Sequence, residues 1–260
     1  MATFLFDKII FGPVKSRRLG VSLGINLLPG NSKLCSFDCI YCECGRNPDP
    51  RETKAVLPQT GEVKISLEKK LLQMVHDGVL PDVITFAGNG EPTMHPDFAT
   101  IITDTIELRD RITPDARIAV LSNSTMLFKT DVVEALKKVD DNILKLDSAF
   151  TETIQLMNCP VGKFNMDELV ERLCSFNGKL VIQTLLLSGT YKGIPFDNTT
   201  PKEVEAWIEL LKKIRPEKVM VYTIARDTPV NTLQRISLDN LNAIAEKVQL
   251  ETGIVVEVSA

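Results

Sequence analysis

The sequence predicts an α/β fold, a partial (β/α)6 barrel with an open, TIM-like parallel sheet. Strand-like and helix-like segments alternate along the whole chain, which is typical of a parallel sheet with right-handed crossovers. The six units that can be recognised are too few for a closed barrel of eight. The 260 residues contain no internal repeat and no low-complexity tract, so we expect one domain over residues 1–260.

The strands are predicted from β-branched runs between turn residues, and the helices from apolar residues at helical spacing. The predicted strands are 21–28, 82–88, 117–123, 142–148, 179–189 and 217–224, with a further short strand at 253–259. The predicted helices are 66–77, 96–110, 130–138, 165–176, 201–215 and 237–250. Residues 47–60 are polar and rich in proline, which favours a loop or a lid.

Two of these helices have clear start signals. Ser66 precedes the first amphipathic run and is the expected N-cap of that helix, which should stop at Gly78. Thr200 and Glu203 have the spacing of a capping box, and Pro201 occupies the first helical position. We therefore expect the first helix to begin at Ser66 and the fifth to begin at Pro201.

The composition is that of a soluble globular protein. The chain is 44% hydrophobic and 25% charged, and no run approaches the roughly 18 apolar residues of a membrane helix. The first residues are too interrupted by charge for a signal peptide. A net charge of −4 gives no global positive field for nucleic acid, so a tRNA partner is not expected. Six cysteines, three of them in one loop, favour a reducing cytoplasm.

The stretch CSFDCIYCEC, residues 35–44, is the candidate metal site. Cys35, Cys39 and Cys42 have the spacing C-x3-C-x2-C, and Cys44 follows two residues later. Thiolates gathered in one loop bind soft metals such as iron or zinc rather than hard cations. Three interpretations are open: a disulfide pair, a zinc knuckle closed by Cys44, and a [4Fe–4S] cluster on three thiolates with one open iron.

A second motif, GNGEPT, begins at Gly88 at the end of the second predicted strand. In a parallel barrel the loops after the strands gather on one rim, so this motif and the cysteine stretch should lie close together. Gly88 and Gly90 can bring backbone close to a ligand, because glycine has no side chain. A tight turn after a strand is the alternative interpretation.

Together the two motifs resemble those of the radical S-adenosylmethionine (radical SAM) enzymes. That family has C-x3-C-x-aromatic-C, here CSFDCIYC with Tyr41, and a G-G-E-type segment after the second strand. The resemblance implies the radical SAM type of partial barrel, with a [4Fe–4S] cluster on Cys35, Cys39 and Cys42. It also implies S-adenosylmethionine (SAM) on the open iron, an electron donor such as flavodoxin or ferredoxin, and a 5′-deoxyadenosyl radical that takes hydrogen from a substrate.

The resemblance further implies which residues contact SAM. Tyr41 should lie near the adenine, and Glu91 should take the methionine ammonium. The residues whose carbonyls would share that ammonium are Gly88, Asn89 and Gly90. The residues at the end of the sixth strand, where the family often borders the adenine, are Tyr222, Ile224 and Arg226.

Polar residues inside predicted buried strands are further candidates, because burying them is costly unless they are paired or functional. Lys145 and Asp147 share one face of an apolar strand, and Gln183 interrupts another. We expect contacts with the SAM carboxylate or ribose at Lys145, Asp147, Ser122 and Asn123, and we also assign Gln183 to SAM binding. A solvent-facing pair at a strand end is the alternative for Lys145 and Asp147.

Four residues outside these motifs are weaker candidates. Cys159 and Cys44 are free thiols that could donate hydrogen near a radical, although packing is the simpler interpretation for Cys159. Arg17 and Arg18 could bind an anion at the mouth of the barrel, and a solvated pair is the equal alternative.

Several segments also resemble a small subgroup related to the synthases of the wyosine tRNA base. Those synthases carry additional N-terminal cysteines for a second cluster, whereas no cysteine precedes Cys35 here. We therefore expect a single-cluster enzyme that acts on a small molecule or nucleoside. A glycyl-radical activating enzyme and a non-enzymatic iron–sulfur or zinc protein are the two alternatives.

Overall fold

The computed structural model describes residues 4–16, 20–49, 51, 55–226 and 228–259. The predicted anion-binding pair, Arg17 and Arg18, lies outside these residues. The strands are β1 Ile10–Ser16, β2 Gly20–Ile25, β3 Val83–Phe86, β4 Arg117–Ser122, β5 Asp141–Lys145, β6 Val181–Leu185, β7 Leu187–Tyr191, β8 Ile194–Asp197, β9 Lys218–Tyr222, β10 Leu233–Arg235 and β11 Val255–Ser259.

The main sheet has eight strands in the order β1-β2-β3-β4-β5-β6-β9-β11. Every neighbouring pair from β2 to β11 is parallel, and β1 is antiparallel to β2 at one edge. The sheet stays open, because β1 and β11 form its two edges. The α/β prediction with a mostly parallel sheet is confirmed, and the arrangement is consistent with a partial, open TIM-like barrel.

Helices follow the strands and cover one face of the sheet. They are α1 Thr60–His76, α2 Phe98–Ile112, α3 Thr130–Leu136, α4 Thr151–Met157, α5 Met166–Cys174, α6 Pro201–Ile214 and α7 Leu238–Thr252, with a 3-10 turn at Pro92–Met94. Alternate residues of the strands, such as Leu23 and Ile25 of β2, are fully buried in the same core cluster as Leu67 and Leu71 of α1. Each such side chain contributes roughly 1.5–3 kcal/mol by leaving water.

The first helix begins earlier than Ser66, so that part of the prediction is wrong. Gln59 is the N-cap, and its backbone amide donates to Glu62 Oε2 at 2.7 Å in a capping box. Val63 extends the buried stripe of Leu67, Leu71 and Met74 by one turn. Ser66 therefore lies inside the helix, because packing of this stripe outweighs the local capping preference of serine.

The predicted start of α6 is correct, but its capping box is only half formed. Thr200 Oγ1 accepts from the Glu203 amide at 3.4 Å, and Pro201 is the first helical residue. The Glu203 carboxylate accepts instead from Ser148 Oγ at 2.6 Å and from Thr153 Oγ1 at 2.5 Å. Glu203 thus ties α6 to the segment that follows β5.

The predicted strand 179–189 is two strands in two different sheets. β6 belongs to the main sheet, whereas β7 pairs antiparallel with β8 and β10 in a small sheet of order β10-β7-β8. The chain turns between them because the Leu187 amide donates to the Asn198 side chain at 2.9 Å, outside the main ladder. β1, β8 and β10 were not predicted; β1 contains Gly12 and Pro13, which weaken a strand signal.

None of the helices in the described part of the chain has the length and apolar character that a bilayer crossing requires.

Two buried asparagines give a matched test of polar satisfaction in this fold. Among the residues that the structure describes, neither polar atom of the Asn142 side chain has a partner, whereas Asn198 bonds Leu187, Asp147 and Leu185. Since an unsatisfied buried amide costs about 1–3 kcal/mol, Asn142→Leu should raise the free energy of unfolding by about 1 kcal/mol or more. Asn198→Leu, the control, should lower it. Urea unfolding measures both, and a destabilised Asn142→Leu protein would contradict the prediction.

Candidate active site

The cysteine loop after β2 is docked on the GNGEPT loop after β3. The Leu34 amide donates to the Asn89 carbonyl at 2.9 Å, and the Glu91 amide donates to the Leu34 carbonyl at 3.1 Å. Gly90 has a φ of +141°, and a Cβ there would lie 1.8 Å from the Leu34 carbonyl oxygen. Gly88 has a φ of +134° and a Cβ there would meet the Asn26 side chain. These two glycines are needed because the two loops pack closely against each other. The sequence had suggested a different reason, the close approach of backbone to a ligand.

A cavity of about 160 Å³ lies between these two loops and the ends of β4, β5 and β6. Eleven of the residues predicted for the site line it: Cys35, Cys39, Tyr41, Cys42, Gly88, Gly90, Glu91, Ser122, Asn123, Lys145 and Gln183. Three further lining residues, Lys33, Phe37 and Leu121, were not predicted. The structure therefore brings both motifs and the polar strand ends to one cavity. We call it the cofactor cavity.

Nitrogen donors from separate parts of the chain reach two of the three thiols. Cys35 Sγ accepts from the Phe37 amide at 3.5 Å and from Asn123 Nδ2 at 3.4 Å. Cys39 Sγ accepts from Asn158 Nδ2 at 3.6 Å. Hydrogen bonds to sulfur are a standard way in which proteins orient and tune iron–sulfur ligands. The sulfur atoms thus have surroundings that fit such a group.

The pKa values of the thiols show how strongly the loop affects them. Burial raises the pKa of Cys35 and raises that of Cys39 to about 11. A hydrogen bond from Cys44 and the nearby Lys33 ammonium lower the pKa of Cys42 to about 6, although burial opposes them. Within the described part of the chain, no three His, Cys, Asp or Glu side chains are already gathered around one point as metal ligands.

Glu91 has protein partners on both carboxylate oxygens. Oε1 accepts from the Thr93 amide at 3.1 Å and from the Thr93 hydroxyl, and Oε2 accepts from the Asn123 amide at 2.5 Å. The side chain caps the 3-10 turn and joins it to the end of β4. Burial of Glu91, which is 1% exposed, raises its pKa against the effect of these bonds. Both carboxylate oxygens are therefore already bonded to protein, and a methionine ammonium would meet a carboxylate that also holds this turn in place.

Asp147 is the centre of a buried hydrogen-bond network beside the cavity. Its carboxylate accepts from Tyr41 Oη at 2.5 Å, Asn158 Nδ2 at 2.7 Å, the Leu185 amide at 2.8 Å and Lys145 Nζ at 3.1 Å. Its side chain is fully buried and does not line the cavity. Asp147 was expected to contact SAM, but protein donors already fill its acceptor positions. Its carboxylate instead holds Tyr41 and Lys145 at the cavity wall.

Lys145 is the network's cation and does line the cavity. Its ammonium is 3.1 Å from Tyr222 Oη and 5.3 Å from the centre of the Tyr41 ring. Burial alone would lower the pKa of Lys145, but Asp147 and Tyr222 favour the ammonium strongly enough to raise it. A fixed positive charge therefore stands at the wall of the cavity.

The remaining predicted residues lie outside the cofactor cavity. Asn89 bonds the backbone of Phe6 and Pro29 instead of facing a ligand. Ile224 packs against the apolar cluster around Tyr41, and Arg226 forms an ion pair with Glu43 at 2.6 Å. The two extra thiols contact protein carbonyls, Cys44 that of Gly88 at 3.4 Å and Cys159 that of Leu156 at 3.5 Å.

Two polar residues of this site, Lys33 and Asn158, were not predicted from the sequence. Lys33, 3% exposed, donates to the Gly45 carbonyl at 3.0 Å and to Asp38 at 3.4 Å, and its charge acts on Cys35, Cys39 and Cys42. Asn158 joins Cys39 to Tyr41 and Asp147. The only sequence signal for Lys33 was a charge beside an apolar loop.

Comparison with known proteins agrees with the site. The profile of the Radical SAM superfamily matches residues 32–190, which include the cysteine loop, the GNGEPT loop and the strands that line the cavity. The chain belongs to the radical SAM superfamily. Members of this superfamily are enzymes, and the family implies a [4Fe–4S] cluster and SAM.

Curated relatives cover most of this chain. It is 31% identical over 225 residues to a UPF0026 protein of Helicobacter pylori, covering 84% of this chain and 67% of that protein. It is 30% identical to a UPF0026 protein of Methanocaldococcus jannaschii, with 84% and 64% covered. A Brachyspira hyodysenteriae protein named GTPase Obg is 30% identical and matches 86% of this chain, but only 31% of its own length is covered.

Solved radical SAM structures share the fold at low sequence identity. A radical SAM methyltransferase from Sphaerobacter thermophilus has a TM-score of 0.66 at 15% identity, over 92% of this chain and 65% of that one. Streptococcus suis SuiB bound to S-adenosylmethionine has a TM-score of 0.63 at 18% identity, over 88% and 49%. TYW1 with a lysine-pyruvate adduct bound has a TM-score of 0.60 at 13% identity, over 89% and 74%.

The bonding of Glu91 predicts an effect on the fold itself. In Glu91→Gln the amide would place an N–H group against the N–H donor of Thr93 or of Asn123. The free energy of unfolding should therefore fall by about 1–3 kcal/mol in protein without SAM or iron. Denaturant unfolding tests this, with Glu134→Gln on the exposed face of α3 as the control. Unchanged stability would mean that the Glu91 carboxylate is free for a ligand.

Proposed function

We propose that this protein is a radical SAM enzyme with one [4Fe–4S] cluster on Cys35, Cys39 and Cys42, and that its substrate is a small molecule or nucleoside. The observation that carries the proposal is the single cavity lined by these three cysteines together with Gly88, Gly90 and Glu91. Soft thiolates and a polar, partly charged wall form the donor set that a cluster with an open iron and SAM would need.

When bound, the cluster and SAM supply a 5′-deoxyadenosyl radical that removes a hydrogen atom from the substrate. The protein binds and orients the cluster, SAM and the substrate, and it keeps water away from them. The thiolates of Cys35, Cys39 and Cys42 would hold the cluster, and the N–H donors of Phe37, Asn123 and Asn158 hold the sulfur atoms of Cys35 and Cys39 in place. Cys44 lies outside the cavity and is left out of the ligand set.

The charges of the cavity wall suit the two ends of the methionine part of SAM. The Glu91 carboxylate and the carbonyls of Gly88 and Gly90 would attract the ammonium, and the Lys145 ammonium would attract the carboxylate. Ser122 and Asn123 supply polar groups between these two charges, and Tyr41 supplies an aromatic face for the adenine. Gln183 also lines the cofactor cavity.

The electron donor is proposed to be a flavodoxin- or ferredoxin-type protein in a reducing cytoplasm. All six cysteines are free, which supports such a compartment. A tRNA substrate is disfavoured by the net charge of −4. Radical SAM enzymes in general require a reductant and a substrate.

Anaerobic reconstitution tests the cluster and its ligands. The protein should hold about four irons per chain and cleave SAM when it is reduced. Cys39→Ala should lose the iron, because it removes a ligand, whereas Cys44→Ala and the remote Cys174→Ala should keep both iron and SAM cleavage. One zinc per chain after anaerobic purification, or loss of the cluster in Cys44→Ala, would overturn the ligand set. Intact iron without SAM cleavage would favour a non-enzymatic protein.

The Lys33 ammonium predicts a shift in the reduction potential of the cluster. A buried positive charge favours the reduced, more negative cluster, so Lys33→Met should make the potential more negative. Lys33→Arg keeps the charge and should restore it in part. The control is Lys64→Met. In the wild type the Lys64 side chain lies on the surface and bonds Asp104 on α2. Potentiometric titration followed by electron paramagnetic resonance measures the shift, and equal potentials in all four proteins would refute the prediction.

A further inference from the structure

A second cavity, of about 420 Å³, lies on the face of the sheet that is turned away from the helices. Its walls include Ser22, Thr85 and Met220, which alternate along their strands with residues of the main core. It shares Leu121 and Gln183 with the cofactor cavity, so the two spaces adjoin. We call it the bore cavity. Its volume is within the range of about 300–1,000 Å³ that is usual for small-molecule sites.

Aromatic rings from the N-terminal segment form one wall of the bore cavity. The Phe6 and Phe11 rings are stacked with centroids 3.6 Å apart, and Phe4 meets Phe6 edge-on at 4.9 Å. Phe11 fits because β2 has glycine at Gly24, where a Cβ would lie 2.1 Å from the Phe11 ring. This wall offers flat apolar surface on which a planar ring can stack.

Charged groups lie only at the solvent-facing part of the lining. Of the lining residues, Lys15, Glu43 and Arg226 carry charge. Glu43 and Arg226 are paired at 2.6 Å, with side chains 42% and 68% exposed. The deeper polar groups are neutral, and Ser22 Oγ and Thr85 Oγ1 already bond each other at 2.8 Å. A charged group bound deep in the bore cavity would have no counter-charge there, which disfavours it.

The Gln183 side chain is the polar group that the protein leaves unused at this point. Residue Gln183 is only 7% exposed, yet its carboxamide makes no hydrogen bond to any described residue. None of its polar atoms is among the fully enclosed groups that lack a partner, so the carboxamide opens onto the cavity, where water or a ligand can bond it. The carboxamide presents an N–H donor and a C=O acceptor side by side in one plane. Its complement is a planar group with an adjacent acceptor and donor.

We propose that the bore cavity binds the substrate as an uncharged planar heterocycle with an adjacent donor and acceptor on one edge, the class that includes nucleobases and their nucleosides. Gln183 bonds that edge with both its donor and its acceptor, and the phenylalanine wall contacts the ring face. Any charged substituent stays at the mouth near Lys15 and Arg226. This inference rests on the proposed function and names its substrate class. It assigns Gln183 to the substrate, whereas the sequence analysis assigned it to SAM.

Calorimetric titration of the oxidised, cluster-loaded protein tests this under anaerobic conditions with saturating SAM. Saturating SAM fills the cofactor cavity and whatever adjoining space its adenosine needs, so a nucleoside that binds must use space that SAM leaves free. The probes are adenosine, guanosine, cytidine and uridine, each compared with its 5′-triphosphate. At least one nucleoside should bind more tightly than its triphosphate. Gln183→Leu should lower the affinity for that nucleoside roughly tenfold or more and leave the affinity for SAM unchanged.

The exposed Gln73→Leu on α1 is the matched control and should bind both ligands as the wild type does. Gln183→Met, a second apolar variant of similar length, guards against a local folding fault in Gln183→Leu. The inference is overturned if none of the four nucleosides binds, if Gln183→Leu binds the nucleoside unchanged, or if the variant loses SAM affinity instead. Because oxidised protein does not need to cleave SAM, nucleoside binding without SAM cleavage in the reduced enzyme would count against the proposed function alone.

Discussion

The parallel bridge between Leu34 and Gly90 is the contact on which the candidate site depends. Two loops from neighbouring strands could point in many directions, but this bridge fixes the cysteine loop against the GNGEPT loop through two backbone hydrogen bonds. Any side chain at Gly90 would overlap the Leu34 carbonyl, so the bridge tolerates only glycine. The three thiols and the Glu91 carboxylate consequently face one cavity before any ligand is bound.

Buried charges then fix the positions of the side chains around that cavity. An unpaired Asp147 in this position would be costly, and its four donors come from the cysteine loop, β5, the end of α4 and the end of β6. The same network holds the Tyr41 ring and the Lys145 ammonium at the cavity wall. The cysteine loop, β5, β6 and the end of α4 are thus bound to a common anion, which limits relative movement among them.

The sequence was sufficient for the parallel sheet and for the meeting of the two motifs, because both follow from strand–helix alternation and the shared rim of parallel strands. It was not sufficient for the small sheet. β7 continues the apolar run of β6 without a break, and only the tertiary bond from Leu187 to Asn198 separates them. Lys33, Asn158 and the bonding of Glu91 were missed for the same reason: their partners are distant in sequence, and a lone polar residue carries no periodic signal.

The GNGEPT loop also reaches beyond the cofactor cavity through Asn89. The Asn89 side chain is fully buried, and its amide accepts from the Phe6 nitrogen at 2.9 Å and donates to the Phe6 carbonyl at 2.8 Å. These two bonds imitate one step of a β-ladder and hold the phenylalanine wall of the bore cavity to the loop that lines the cofactor cavity. Because Gly88 and Gly90 flank Asn89, a shift of this loop on binding SAM would move the Phe6 backbone with it. The cofactor cavity and the wall of the bore cavity are therefore mechanically joined by one asparagine side chain.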